Sequence, residues 1–122
     1  MTEEEATTGY VIADYGRIEG VSCPCGTTHR AFTDLPEGRA SLHMVEVSRR
    51  TRTHYHKRLT EIYYFLEGRG RMELDGESHE VRPGMAVYIP PGVRHRAVPG
   101  EEPMRILNFV TPPFDPEDEW FD

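Results

Sequence analysis

An all-β fold is predicted by three features of the chain: its length, its punctuation and the alternation inside its apolar runs. The 122 residues and 14.0 kDa leave room for one hydrophobic core, because domains typically run to about 100–150 residues. A catalytic domain joined to a separate DNA-reading domain is not expected. Hydrophobic residues make up 37% and charged residues 29% of the chain, a composition that can offset the entropy of ordering, alone or as a dimer. The 11 glycines and 10 prolines stand between short apolar runs, the pattern of many short strands rather than a few long helices.

The first 22 residues hold one apolar patch, at 10–13, and read as an arm or an added edge strand. Residues 1–34 are expected to form this arm or edge, 35–112 the strand-rich body and 113–122 an acidic tail. Strands are expected at SLHMVEV (41–47), RTHYH (52–56), EIYYFLE (61–67), RMELD (71–75), HEV (79–81), AVYI (86–89), VRHRAV (93–98) and MRILNFV (104–110). The separators EGRG, DGE, RPG, PPG and PGEEP are turn sequences. Asp75-Gly76 is a hairpin signal, since both central residues of a primed turn need positive φ. In RMELD, Met72 and Leu74 share one side and Arg71, Glu73 and Asp75 the other, as on a peripheral strand with one wet face. EIYYFLE carries apolar bulk on both faces: Glu61, Tyr63 and Phe65 alternate with Ile62, Tyr64 and Leu66. A second subunit or the N-terminal arm must cover its outer side, which motivates the expectation of a homodimer. No solenoid-length repeat is present.

The formal net charge is −7, which argues against a nucleic-acid or anionic-membrane partner. Eight of the 21 acids lie at the ends (Glu3, Glu4, Glu5, Asp115, Glu117, Asp118, Glu119, Asp122), and these are expected to be solvated. No apolar run reaches the roughly 20 residues of a spanning helix, and the first ten residues lack the basic start and apolar stretch of a signal peptide; a cytoplasmic protein is expected. Cys23 and Cys25, one residue apart, would make a strained disulfide. With His29 they form C-x-C-x3-H, three ligands of a possible second metal site with the fourth missing; an ordinary reduced-thiol loop is the simpler expectation.

The chemistry concentrates around four residues. His54 and His56, two apart on an expected strand, leave on the same face. Glu61 follows after KRLT, short enough for a hairpin connection that would return its carboxylate to the imidazoles. His95 lies far along the chain, after Pro90-Pro91-Gly92. The pattern His54-x-His56-x4-Glu61-x6-Gly68 resembles the first cupin motif, and Gly84-x5-Pro90-x-Gly92-x2-His95 resembles the second, 15 residues later. Eight residues at fixed spacing make a far more specific signal than a lone H-x-H. The match covers residues 54–95, about a third of the chain. Ser48 and Pro99 depart from the glycine and asparagine usual at the motif ends; neither position is a ligand in that family.

The resemblance implies a double-stranded β-helix, a small jelly-roll barrel, in which His54, His56, Glu61 and His95 converge on one divalent metal. Three nitrogens and a carboxylate suit Fe, Mn, Ni or Zn, and four protein ligands leave open positions for a small organic substrate. Dioxygenase-type oxidation is the first expectation. Metal-dependent isomerisation or epimerisation of a sugar or sugar phosphate is the nearest rival, short of an obvious proton shuttle beyond Glu61, Tyr63 or Tyr88; a non-catalytic metal or ligand binder is the alternative of another class.

The remaining polar residues have plainer readings. Arg94 and Arg96 oppose the parity of His95 and are expected to face water. Arg52 shares the parity of His54 and His56 and is the arginine that could point into the barrel mouth, where a guanidinium fork would hold an anionic substrate bidentately. His43 could face the cavity, but core or surface is its expected place, and the surface is that of His79. Tyr63, Phe65, Met72, Met85, Tyr88 and Phe109 are expected to be wall and core.

Overall fold

The computed structural model describes residues 9–122; Glu3, Glu4 and Glu5 of the acidic N-terminal end lie outside them. Nine strands follow in order: β1 (Val21–Cys23), β2 (Gly26–Ala31), β3 (Ser41–Val47), β4 (Thr60–Glu67), β5 (Gly70–Leu74), β6 (Glu77–Val81), β7 (Ala86–Ile89), β8 (His95–Pro99) and β9 (Met104–Thr111). They form a six-stranded sheet, β1-β2-β3-β9-β4-β7, and a three-stranded sheet, β6-β5-β8, with every pairing antiparallel. The all-β expectation holds, and among the described residues no helix is long and apolar enough to cross a membrane.

Alternation places the core between the sheets. On β9, Met104, Ile106, Asn108 and Val110 are buried while Arg105 and Phe109 are exposed. Phe65, Met104 and Ile106 of the large sheet meet Met72 and Val81 of the small one. The expected hairpin is present: Leu74 pairs with Glu77, and Asp75 (φ 48°) and Gly76 (φ 85°) both turn left-handed. Gly68 is also left-handed, at φ 81°, and a Cβ there would lie 2.3 Å from the Pro103 carbonyl oxygen, so the β4–β5 turn admits no side chain.

Three expectations fail. Residues 52–56 form no ladder strand; His54 makes one bridge with His95 and Tyr55 one with Trp120. The physical reason is that β4 is already paired on both edges, by β9 and β7, so Glu61 cannot open a hairpin with the histidine segment. Residues 113–122 fold back onto the barrel rather than trailing free: Glu117, Glu119 and Asp122 stay exposed as expected, but Asp118 is buried. The Asp118 carboxylate is taken up by the backbone N–H groups of Lys57 (3.0 Å), Arg58 (2.9 Å) and Leu59 (3.0 Å), and Trp120 lies under the Lys57 ammonium, 3.6 Å from its ring centre. Tyr88 and Phe109 are not core: they project from the outer face of the large sheet, 66% and 38% exposed.

Candidate metal centre and cavity

The His54–His95 bridge brings the two distant motifs together. His54 N–H donates to the His95 carbonyl (3.1 Å) and His95 N–H to that of His54 (2.8 Å), while Gly92 N–H donates to the His56 carbonyl (2.8 Å). The ring centres of His54 and His95 are 4.4 Å apart, those of His54 and His56 5.3 Å, and one ligand nitrogen from each of the three lies within 4.8 Å of the others. Each Nδ1 faces a backbone carbonyl: His54 that of Arg52, His56 that of Asp118, and His95 that of Val93. Carbonyls only accept, so Nδ1 carries the proton on each ring and Nε2 is left for an ion. Glu61 Oε1 lies 3.0 Å from His56 Nε2 and 3.1 Å from His95 Nε2, and its Oε2 accepts from Asn108 Nδ2 at 2.7 Å. The three histidines could thus hold a divalent transition ion, the donor chemistry being that of borderline metals.

Electrostatics follow from this crowding. Burial, reinforced by the charges of His95 and His56, pushes His54 down to about 4. For His56 burial is outweighed by the hydrogen bond to Glu61 and by its charge, and the net shift is upward. Burial would raise Glu61, yet His56 and His95 overcome it and hold the carboxyl well below the usual carboxylate range.

His54 and His56 open onto a cavity of about 370 Å³, with His95 buried behind them, within the range of small-molecule sites. Its lining corrects several expectations. His43 is buried and lines the cavity rather than core or surface; burial and the Arg30 charge push it down to about 4, so it is neutral at pH 7. Ser41 Oγ accepts the Phe114 N–H (2.9 Å), which leaves its own proton to donate to His43 Nε2 (2.8 Å) and puts the ring proton on Nδ1. Tyr63 lines the wall, and burial raises its phenol well above its ordinary value. Arg52 does reach the mouth, its guanidinium 4.3 Å over the Phe121 ring. Arg96 is no free surface group: it pairs with Glu73 through Nε (2.9 Å) and Nη2 (3.2 Å). Arg94 holds the Asp122 carboxylate in the same two-pronged way. His79 is exposed.

No second metal site forms from Cys23, Cys25 and His29. The cysteines line the cavity, whereas His29, opposite in parity to Thr28 and Arg30 on β2, lies on the other face beside Gly20. Among the cavity residues that the sequence did not reveal are Asn108, Thr28, Arg30 and Glu119. Asn108 was visible in principle as the polar member of the Met104, Ile106, Asn108, Val110 face. Thr28 and Arg30 share a face of β2 by the same rule. Glu119 carried no signal, because its position depends on the tail folding back; its Oε1 is 3.8 Å from His54 Nε2.

A family model described as Cupin domain matches residues 41–110. The chain belongs to the cupin family. It is 45% identical over 76 residues to protein MJ1618 of Methanocaldococcus jannaschii, a match covering 62% of this chain and 61% of that one. It is 47% identical over 45 residues to the dimethylsulfoniopropionate lyase DddW of Ruegeria pomeroyi, covering 37% of this chain and 30% of the lyase. The matches thus span less than two thirds of either curated relative. The crystal structure of a protein from Planctomyces limnophilus superposes with a TM-score of 0.84 at 40% identity, over 94% of this chain and 98% of that one. The chain has the cupin jelly-roll architecture.

Proposed function

We propose that this cupin is a metal-dependent enzyme that moves protons on a small oxygen-bearing organic substrate, in a lyase- or isomerase-type reaction. One observation carries the reading: two acid–base groups outside the four expected ligands His54, His56, Glu61 and His95, namely His43 and Glu119, line the cavity. A divalent ion bound there supplies Lewis acidity at a substrate oxygen. Glu119 is the carboxylate at the mouth that takes a proton from the neighbouring carbon. His43, neutral, donates from Nδ1 to a substrate oxygen, with the Ser41 hydroxyl fixing the tautomer from the other side. Tyr63, kept protonated by burial, adds a second donor on the same wall. Dioxygen insertion, the first expectation from the ligand set, needs no such pair, whereas elimination and isomerisation both do. The 45-residue similarity to a lyase supports the same side of that choice.

The test is hydrogen exchange. Metal-loaded protein incubated in D₂O with a panel of small hydroxy- and oxo-acids should exchange a substrate C–H or release product, followed by NMR. Glu119→Gln and His43→Gln should each slow this by about a hundredfold or more while retaining the metal. Oxygen consumption by the iron-loaded protein with no exchange on any substrate would overturn the proposal in favour of oxygenation.

We further propose a homodimer through the outer face of the large sheet. Two rows in register, Leu42, Phe109, Ile62, Tyr88 and Met44, Leu107, Tyr64, Ala86, run across β3, β9, β4 and β7. Tyr88, Tyr64 and Phe109 stand exposed within them, as on a face that a second copy covers.

A further inference from the structure

Among the described residues, three buried side-chain atoms find no hydrogen-bond partner: Thr28 Oγ1, Arg30 Nε and Asn108 Oδ1. All three residues line the cavity. Thr28 and Asn108 are more than nine-tenths buried. The Asn108 amide is oriented by the bond from its Nδ2 to Glu61 Oε2, so Oδ1 is an acceptor turned away from that carboxylate. The Arg30 side chain makes no ion pair or hydrogen bond with any described residue; its guanidinium lies 4.4 Å over the Phe114 ring. Unsatisfied buried polar groups are rare in folded proteins and destabilise them. Three on one cavity wall mark a place prepared for a ligand.

We infer that the Arg30 end of the cavity is a carboxylate-binding subsite, and that the substrate is a small hydroxy- or oxo-acid. Its carboxylate is held by Arg30 and Thr28, and its hydroxyl, where it has one, donates to Asn108 Oδ1. This deepens the proposed enzymatic reading, on which its catalytic meaning, though not its binding chemistry, rests. Register sets the scale. Arg30 lies opposite His43 and His43 opposite Asn108, two strand spacings or roughly 10 Å between backbones, which the long arginine side chain shortens. Asn108 touches Glu61, so a hydroxyl bound there sits beside the proposed metal centre. A carboxylate suits the subsite better than a phosphate. One guanidinium and one hydroxyl meet a single negative charge, and the adjoining wall at Val45, Val47 and Ile106 is apolar. The other cavity arginine, Arg52, is stacked on Phe121 at the mouth.

The probes are 3-hydroxybutyrate and its uncharged analogue 3-hydroxybutyramide, titrated into zinc-loaded and metal-stripped protein while the Arg30 Nε–H signal is followed by ¹⁵N NMR. The acid should shift that signal along a saturable curve in both forms, with the amide binding about tenfold or more weakly, since hydrogen bonds to charged partners are the strong ones. Arg30→Gln should weaken the acid by about tenfold or more with unchanged zinc stoichiometry, and Arg30→Lys by less. Arg30→Met should melt no lower than the parent without ligand, because it removes an unpaired charge. An Arg30 signal that moves with neither probe, equal binding of acid and amide, or a large fall in melting temperature in Arg30→Met would each overturn the subsite. Loss of hydrogen exchange with the Arg30 shift intact would instead overturn the reaction and leave the subsite standing.

Discussion

Cys23 and Cys25 sit at the cavity with opposite acidities. A hydrogen bond with the Cys25 thiol is the largest influence on Cys23; burial opposes it, and backbone N–H groups and Arg30 help bring Cys23 down to about 6. The same pairing, with burial, drives Cys25 up. The thiolate is the nucleophile, so iodoacetamide should label Cys23 alone at neutral pH, with a rate that rises through a midpoint near pH 6, read by peptide mass spectrometry. Equal labelling of both cysteines, or a rise only above about pH 8 as for an ordinary thiol, would contradict this. His43 shows a different side of the residue scale. Its parity on β3 was legible, but a strand with two packed faces leaves undecided which face borders a cavity. That needed Ser41, Phe114 and Arg30 in place around the ring.

At the scale of elements, the loop 57–59 and the tail hold one another. Asp118 is 5% exposed, and its carboxylate satisfies three successive backbone N–H groups and the Trp120 indole at 3.0 Å. Burial would raise its pKa, but these donors outweigh burial and the net shift is well downward. A carboxyl depressed in the folded state contributes stability above its unfolded pKa of about 3.9 and loses it as pH falls below that. Asp118→Asn should therefore cost about 1–3 kcal/mol at pH 7 and flatten the fall in melting temperature below about pH 4; an unchanged slope in thermal melts would refute it. The element scale also marks where sequence patterns ran out. Alternation located most of β3 to β9, because their apolar residues pack against a core; β6, buried only at Val81, is marked instead by its hairpin turn. The segment 52–56 and the tail carry no ladder, so only the closed barrel tells that they bridge His95 and Tyr55. Charge alone made Asp118 and Glu119 look solvated; a neighbouring turn with three free N–H groups, invisible along the chain, reverses that for Asp118.

At the scale of the whole molecule, the outer face of the large sheet and the cavity beneath it are separate demands on the same strands. Tyr88, at the β7 end of one apolar row, and Tyr64, within the other, are 66% and 44% exposed, and a charge there should disfavour association. Tyr88→Arg should convert a dimer to a monomer in sedimentation at micromolar concentration while leaving the metal content unchanged; a parent that sediments as a monomer would remove the proposed interface. The two motifs were legible because their spacing is set by backbone geometry that recurs in the family, whereas Thr28 and Arg30 of β2 reach Asn108 of β9 only through the strand order, which no sequence spacing encodes. The proposed reaction depends on the three histidines, with Glu61 beside them, gathering one ion. Elemental analysis of protein purified without chelator tests this most directly: the parent should carry about one divalent transition ion per chain, and folded His56→Ala and His95→Ala should carry almost none. Variants that retain as much metal as the parent would contradict it.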